Sequence, residues 1–203
     1  MKLCILGCGI YELELEQVLA QIKQEKLFDC ELEVTHLPLN LHINLDALKA
    51  GVIKALDAVA ADRIILLYGS KCHPDFNEFL SGYHNLVRFE QSNCIELMIG
   101  ERMKETDQES KTFYLTSGWL EKWRELFDSG FGIDEVELRQ SFGFYDRTLL
   151  VDTGVSEITD EKILDFFEYT QVPIEMEQGG IAVFKSYIIT AIQQAIHDQN
   201  ANE

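Results

Sequence analysis

The run Arg63-Ile64-Ile65-Leu66-Leu67-Tyr68, closed at once by Gly69, is the feature that most constrains this chain. Its apolar residues follow one another without polar alternation, so it does not suit a sheet with one wet face. Such a run belongs to a strand covered on both sides, as in parallel sheets flanked by helices. The signature recurs where Leu3-Cys4-Ile5-Leu6 runs into Gly7-Cys8-Gly9, and where Leu149-Leu150-Val151-Asp152 runs into Thr153-Gly154. Residues 30–34, 86–89, 112–115 and 173–177 read as further strands.

Helical spacing fills the intervals. Residues 11–28 place Leu15, Val18, Leu19, Ile22 and Leu27 on one face. Asn44 can cap a helix over 45–61, and Thr159 or Asp160 one over 161–170. Further helices are expected at 118–127, 133–142 and 181–197, with short ones at 75–80 and 94–99. The polar stretch 101–111 reads as a surface loop. This alternation predicts an α/β fold: three layers, a mainly parallel sheet with helices on both faces, and possibly two lobes. Residues 1–203 are expected to form a single α/β domain, with any division falling near 100–110.

Charge narrows the function classes. Against 35 Asp and Glu stand only 17 Lys and Arg, a net charge of −18. No basic cluster is available to displace phosphate counterions or dock on anionic lipid, so neither nucleic acid nor membrane is an expected partner. The apolar start is interrupted by Tyr11-Glu12-Leu13-Glu14-Leu15-Glu16, unlike a signal peptide. A soluble, cytoplasmic protein is expected. Five cysteines, an odd number, fit reduced thiols or metal ligands better than a disulfide scaffold.

Ligands of open parallel sheets bind outside the carboxyl ends of the strands. Cys8, Cys72 and Cys94 all follow predicted strand ends, with small residues around them. Gathered there, they could hold zinc or an iron–sulfur cluster, with His42 or His73 completing the set. Two other readings stay open for the same thiols: reactive groups without metal, and core packing. Cys4 and Cys30 read as core. His36, His84 and His197 read as structural or surface groups, and Glu12, Glu14 and Glu16 as a solvated helix face. Gly7-Cys8-Gly9 lacks the third glycine of a dinucleotide fingerprint, since Glu12 stands in its place, and no P-loop is present. In Thr116-Ser117-Gly118-Trp119, Gly118 could free helix-start amides for an anionic ligand or cofactor, and Trp119 could wall the pocket. A structural turn with a buried ring is the alternative.

In order along the chain stand Gly7-Cys8-Gly9, Leu41-His42, Leu66-Leu67-Tyr68-Gly69 with Cys72 shortly after, Cys94-Ile95, and Phe113-Tyr114-Leu115-Thr116-Ser117-Gly118-Trp119-Leu120. This series resembles the uncharacterised family called domain of unknown function 1638, over residues 1–195. The resemblance implies a setting in anaerobic bacteria and methanogenic archaea, near corrinoid-dependent methyl transfer, without implying an activity. The resulting expectation is a protein that binds zinc or an iron–sulfur centre through Cys8, Cys72 and Cys94. It would act on a small molecule at the sheet edge, in corrinoid-linked methyl-group metabolism. The alternative is a non-catalytic partner of a corrinoid or methyltransferase protein.

Overall fold

A computed structural model describes residues 1–39, 41, 44–130 and 135–200. The chain opens with β1 (Lys2–Cys8), a 3-10 turn (Gly9–Tyr11) and α1 (Glu12–Gln24). Next come β2 (Glu31–Leu37), α2 (Leu45–Ala58) and β3 (Arg63–Leu67). The first half closes with α3 (Phe76–Phe79), β4 (Leu86–Arg88), α4 (Cys94–Ile99) and α5 (Arg102–Glu109). The second half runs β5 (Thr112–Thr116), α6 (Ser117–Gly130), α7 (Glu135–Phe142), β6 (Arg147–Asp152), α8 (Asp160–Thr170), β7 (Ile174–Gln178) and α9 (Ala182–Asn200).

Two sheets result, a four-stranded one in the order β2-β1-β3-β4 and a three-stranded one in the order β5-β6-β7. Every strand pairing among the described residues is parallel. The fold is therefore the expected α/β class, in two lobes. In the first lobe the chain moves from β1 outward to β2, then back past β1 to β3. Right-handed crossovers place α1 and α2 on opposite faces, which is why Leu3–Leu6 of β1 and Ile64–Leu67 of β3 run without polar alternation. The second sheet divides its side chains between two cores. Leu115 and Leu150 join the aromatic core of α6, α7 and α8, while Tyr114, Leu149 and Val151 join the core of the first lobe. Helix α9 follows the second sheet and returns to lie against β3, β4 and α4.

Caps fall where side-chain chemistry demands. The Asn44 side chain accepts from the Ala47 amide at 3.0 Å, and Asn93 accepts from Ile95 and Glu96 at 3.0 and 2.9 Å. Thr159 rather than Asp160 caps α8, accepting from Lys162 at 3.4 Å.

Two expectations are corrected. Much of the stretch read as a surface loop over 101–111 is helix α5, in which Thr106 is the one buried residue. It has no apolar stripe for periodicity to detect and is held by tertiary contacts, among them the Tyr114 hydroxyl donating to Met103 O and Asp107 Oδ1 at 3.2 and 2.6 Å. The second correction concerns the solvated acidic face. Glu14 is wholly buried, with 0% of its surface exposed.

One close approach brings the turns after β3 and β4 together. A Cβ at Gly69 would stand 2.4–2.5 Å from the Asn93 backbone and Ser92 O. The Ser70 and Lys71 amides then donate to Gln91 O and Ser92 O at 2.7 and 3.0 Å. Gly69→Ala should consequently destabilise the protein by about 2–3 kcal/mol, because backbone rather than a flexible side chain must yield. Urea denaturation measures this. A variant with unchanged midpoint and slope would refute the close approach.

Candidate functional site

The strand order of the first sheet reverses between β1 and β3, the kind of position at whose carboxyl edge open parallel sheets bind ligands. Cys8 ends β1, Cys72 lies on the turn after β3, and Cys94 begins α4 after β4. The backbone strap at Gly69 ties the last two turns to each other. The three sulfurs are near enough to act on one another electrostatically: Cys72 acts on Cys8, and both act on Cys94. The Tyr68 hydroxyl and the Cys8 sulfur also act on one another.

Tyr11 completes this chamber. Its ring stacks on Phe184 of α9, with centroids 5.3 Å apart and planes at 11°. Its hydroxyl feels Cys94, Cys72, Cys8 and Tyr68. The residue is only 1% exposed, and the hydroxyl has no hydrogen-bond partner among the described residues. A phenol shut from water is costly unless a polar neighbour, an ordered water or a ligand completes it.

Electrostatics decides the state of the thiols. Burial pushes the Cys8 thiol up to about 12, against the Ile10 amide, which favours its thiolate. Burial likewise raises Cys94 and Cys72, opposed by nearby backbone amides. Tyr11 and Tyr68 are raised by the same desolvation. At neutral pH the chamber holds protonated thiols and phenols, whereas a reactive cysteine needs a depressed pKa. Among the described residues, no three His, Cys, Asp or Glu side chains already stand arranged around a metal position.

The histidines separate. His73 is buried, with Nδ1 accepting from the Asp75 amide at 3.0 Å and its ring against Phe76 and Phe79 at 5.7 and 5.0 Å. It is built into an aromatic cluster beside Cys72. His42 lies outside the described residues. Cys4 is core, and Cys30 is half-buried against that core, as read from the sequence.

The start of α6 is occupied from within. Glu14 Oε1 accepts from the Gly118 amide at 3.1 Å, from Thr116 Oγ1 at 2.8 Å and from Thr153 Oγ1 at 3.1 Å. The chain's own carboxyl thus takes the place expected for an outside anion. Gly118 is required for another reason than ligand approach, because a Cβ there would stand 2.3 Å from Glu14 Oε2. Trp119 is half-buried, packed on the edge of Phe113 at 6.4 Å. Tyr11, Tyr68 and Glu14 are the site residues that sequence reading passed over. A signal existed for Glu14: it precedes Val18 and Ile22 by four and eight residues, on the apolar side of α1.

A profile of the family described as "Protein of unknown function (DUF1638)" matches residues 36–188. The chain belongs to this family. Nothing matches among curated proteins. Among solved structures, a putative LacI transcriptional regulator from Bacteroides fragilis aligns at TM-score 0.40 and 8% identity, covering 100% of this chain and 91% of that one. A putative transcriptional regulator from Clostridium difficile 630 aligns at TM-score 0.30 and 12% identity, covering 100% of this chain and 56% of that one. These likenesses are too loose to bear on the site of this DUF1638 protein, which rests on its own geometry. Among the described residues, no helix is long and apolar enough to cross a membrane.

Glu14 yields a pH-dependent prediction. Burial raises its pKa above the ordinary 4.5, against the hydrogen bonds it accepts. A raised carboxyl contributes most below its unfolded value, and that contribution is lost as pH rises through the folded one. Glu14→Gln, neutral at every pH, should escape this loss and gain roughly 2–4 °C in Tm at neutral pH. Melting curves from about pH 4 to pH 8 should show wild type and variant diverging as pH rises. Parallel curves would show that Glu14 does not titrate differently on folding.

Proposed function

We propose that the chamber at the β1/β3 reversal binds one thiophilic centre, zinc or an iron–sulfur cluster, through Cys8, Cys72 and Cys94. The observation that carries the reading is the placement of three thiols from three strand ends within electrostatic reach of one another and of the enclosed Tyr11 hydroxyl. Burial argues against reactive thiolates, and simple packing leaves the phenol unexplained. A metal supplies what both lack, because coordination removes the thiol protons that burial otherwise retains. To bind, the sulfurs must turn inward to roughly 2.3 Å from one centre. Three sulfur ligands leave zinc a fourth position, where a substrate thiol could bind and ionise. Such a thiol could accept a methyl group, in keeping with the corrinoid-linked setting that the family resemblance implies.

Elemental analysis and a visible spectrum of anaerobically purified protein test the proposal. Wild type and Cys30→Ser should carry metal in equal, stoichiometric amount. Cys8→Ser, Cys72→Ser and Cys94→Ser should each lose most of it while keeping the far-UV spectrum of wild type. Equal metal in all four variants would overturn the ligand assignment. Absence of metal from every preparation would leave the thiols as core.

A further inference from the structure

The connection from β1 to α1 carries Cys8, Tyr11 and Glu14 at intervals of three residues. The first two border the thiol chamber, and the third reaches the other lobe. All three groups that donate to Glu14 Oε1 come from the ends of β5 and β6 and the start of α6. Oε2 is equally shut from water but has no partner among the described residues. A neutral carboxyl tolerates that position far better than a carboxylate, half of whose charge would be neither bonded nor solvated. We propose that Glu14 is an ionisable latch that, with its proton on, holds the start of α6 against the β1–α1 connection and keeps the thiol chamber shut. With the proton off, the connection loosens and admits small solutes to Cys8, Cys72 and Cys94. This would be the regulation of the site proposed above, and its meaning rests on that reading.

The surrounding charges are engaged elsewhere. On α1, Glu12 is bonded to Lys122 of α6, and Glu121 of α6 to Lys162 of α8. At the end of β6, Asp152 accepts from the Gly154 amide and from Gln178. The Ser117 and Thr153 hydroxyls lie 2.5 Å apart. Glu14 therefore faces hydroxyls, the Gly118 amide and its own backbone amide, so the starts of α6 and α1 supply the positive potential on it. Burial outweighs these. Water is the remaining means of stabilising the ionised form, and reaching it requires the latch to open.

Thiol accessibility reads this out without any metal. Metal-free, reduced protein in a Cys4→Ala, Cys30→Ser background is treated with 4,4′-dithiodipyridine from about pH 4 to pH 8, with and without Glu14→Gln. The growth of thiolate with pH is common to both proteins and cancels in their rate ratio. That ratio, wild type over Glu14→Gln, should rise with pH toward about tenfold, the factor given by 1.4 kcal/mol of differential opening. Gly118→Ala, whose Cβ would stand 2.3 Å from Oε2, should react fast at every pH while keeping a native far-UV spectrum. A ratio that stays flat across pH overturns the latch, whether or not the alanine variant folds. A rising ratio in protein that never binds metal would support the latch and remove the metal instead.

Discussion

β1 and β3 lie in parallel register, Ile5 beside Ile65 and Leu6 beside Leu66, with both faces of each strand shut from water. Burying that pair needs helices on both sides of the sheet, and crossovers of one hand then send the chain first to one side of β1 and next to the other. All strands consequently point the same way, and their carboxyl ends open on one edge. The reversal of strand order falls between β1 and β3, at the turns where open parallel sheets bind their ligands. Cys8 and Cys72 occupy those two turns, and the strap at Gly69 draws Cys94 in beside them. The thiol chamber follows from how this sheet buries its centre.

The same burial sets the chemistry the chamber can perform. Desolvation keeps Cys8, Cys72 and Cys94 protonated, so none resembles the exposed, electropositive cysteine of a thiol nucleophile. Thiols so placed pack, or give up their protons to a metal. Tyr11 borders the same thiols, its hydroxyl enclosed and without a partner among the described residues. On the other side of the β1–α1 connection, Glu14 crosses to the second lobe, and its other oxygen is left bare. One short connection thus joins the chamber to the lobe interface.

Much of the fold was legible because apolar runs and glycine-ended turns report burial directly. Arg63–Leu67 and Leu3–Leu6 declared themselves as two-sided strands, and Asn44 stands where its cap was expected. Helix α5 was not legible, since its residues are polar and its order comes from contacts such as Tyr114 with Asp107. Of the site, the three strand-end cysteines could be named from their positions, because in parallel sheets position along the chain implies position on the edge. Glu14 was hidden by its neighbours, as Glu12 and Glu16 made the segment look solvated. Its partners Thr116, Gly118 and Thr153 lie 102 to 139 residues away in sequence, and no local pattern links them.

The claim that stands above the others is that Cys8, Cys72 and Cys94 can close on one metal. Cobalt(II) added to reduced, metal-free protein tests it most directly, because each cobalt–thiolate bond contributes charge-transfer absorption in the near ultraviolet. The account predicts saturable binding with the intensity of three thiolates, release of thiol protons, and loss of the band in Cys8→Ser. Cobalt that binds without thiolate absorption, or fails to bind while the thiols remain reduced, would contradict it.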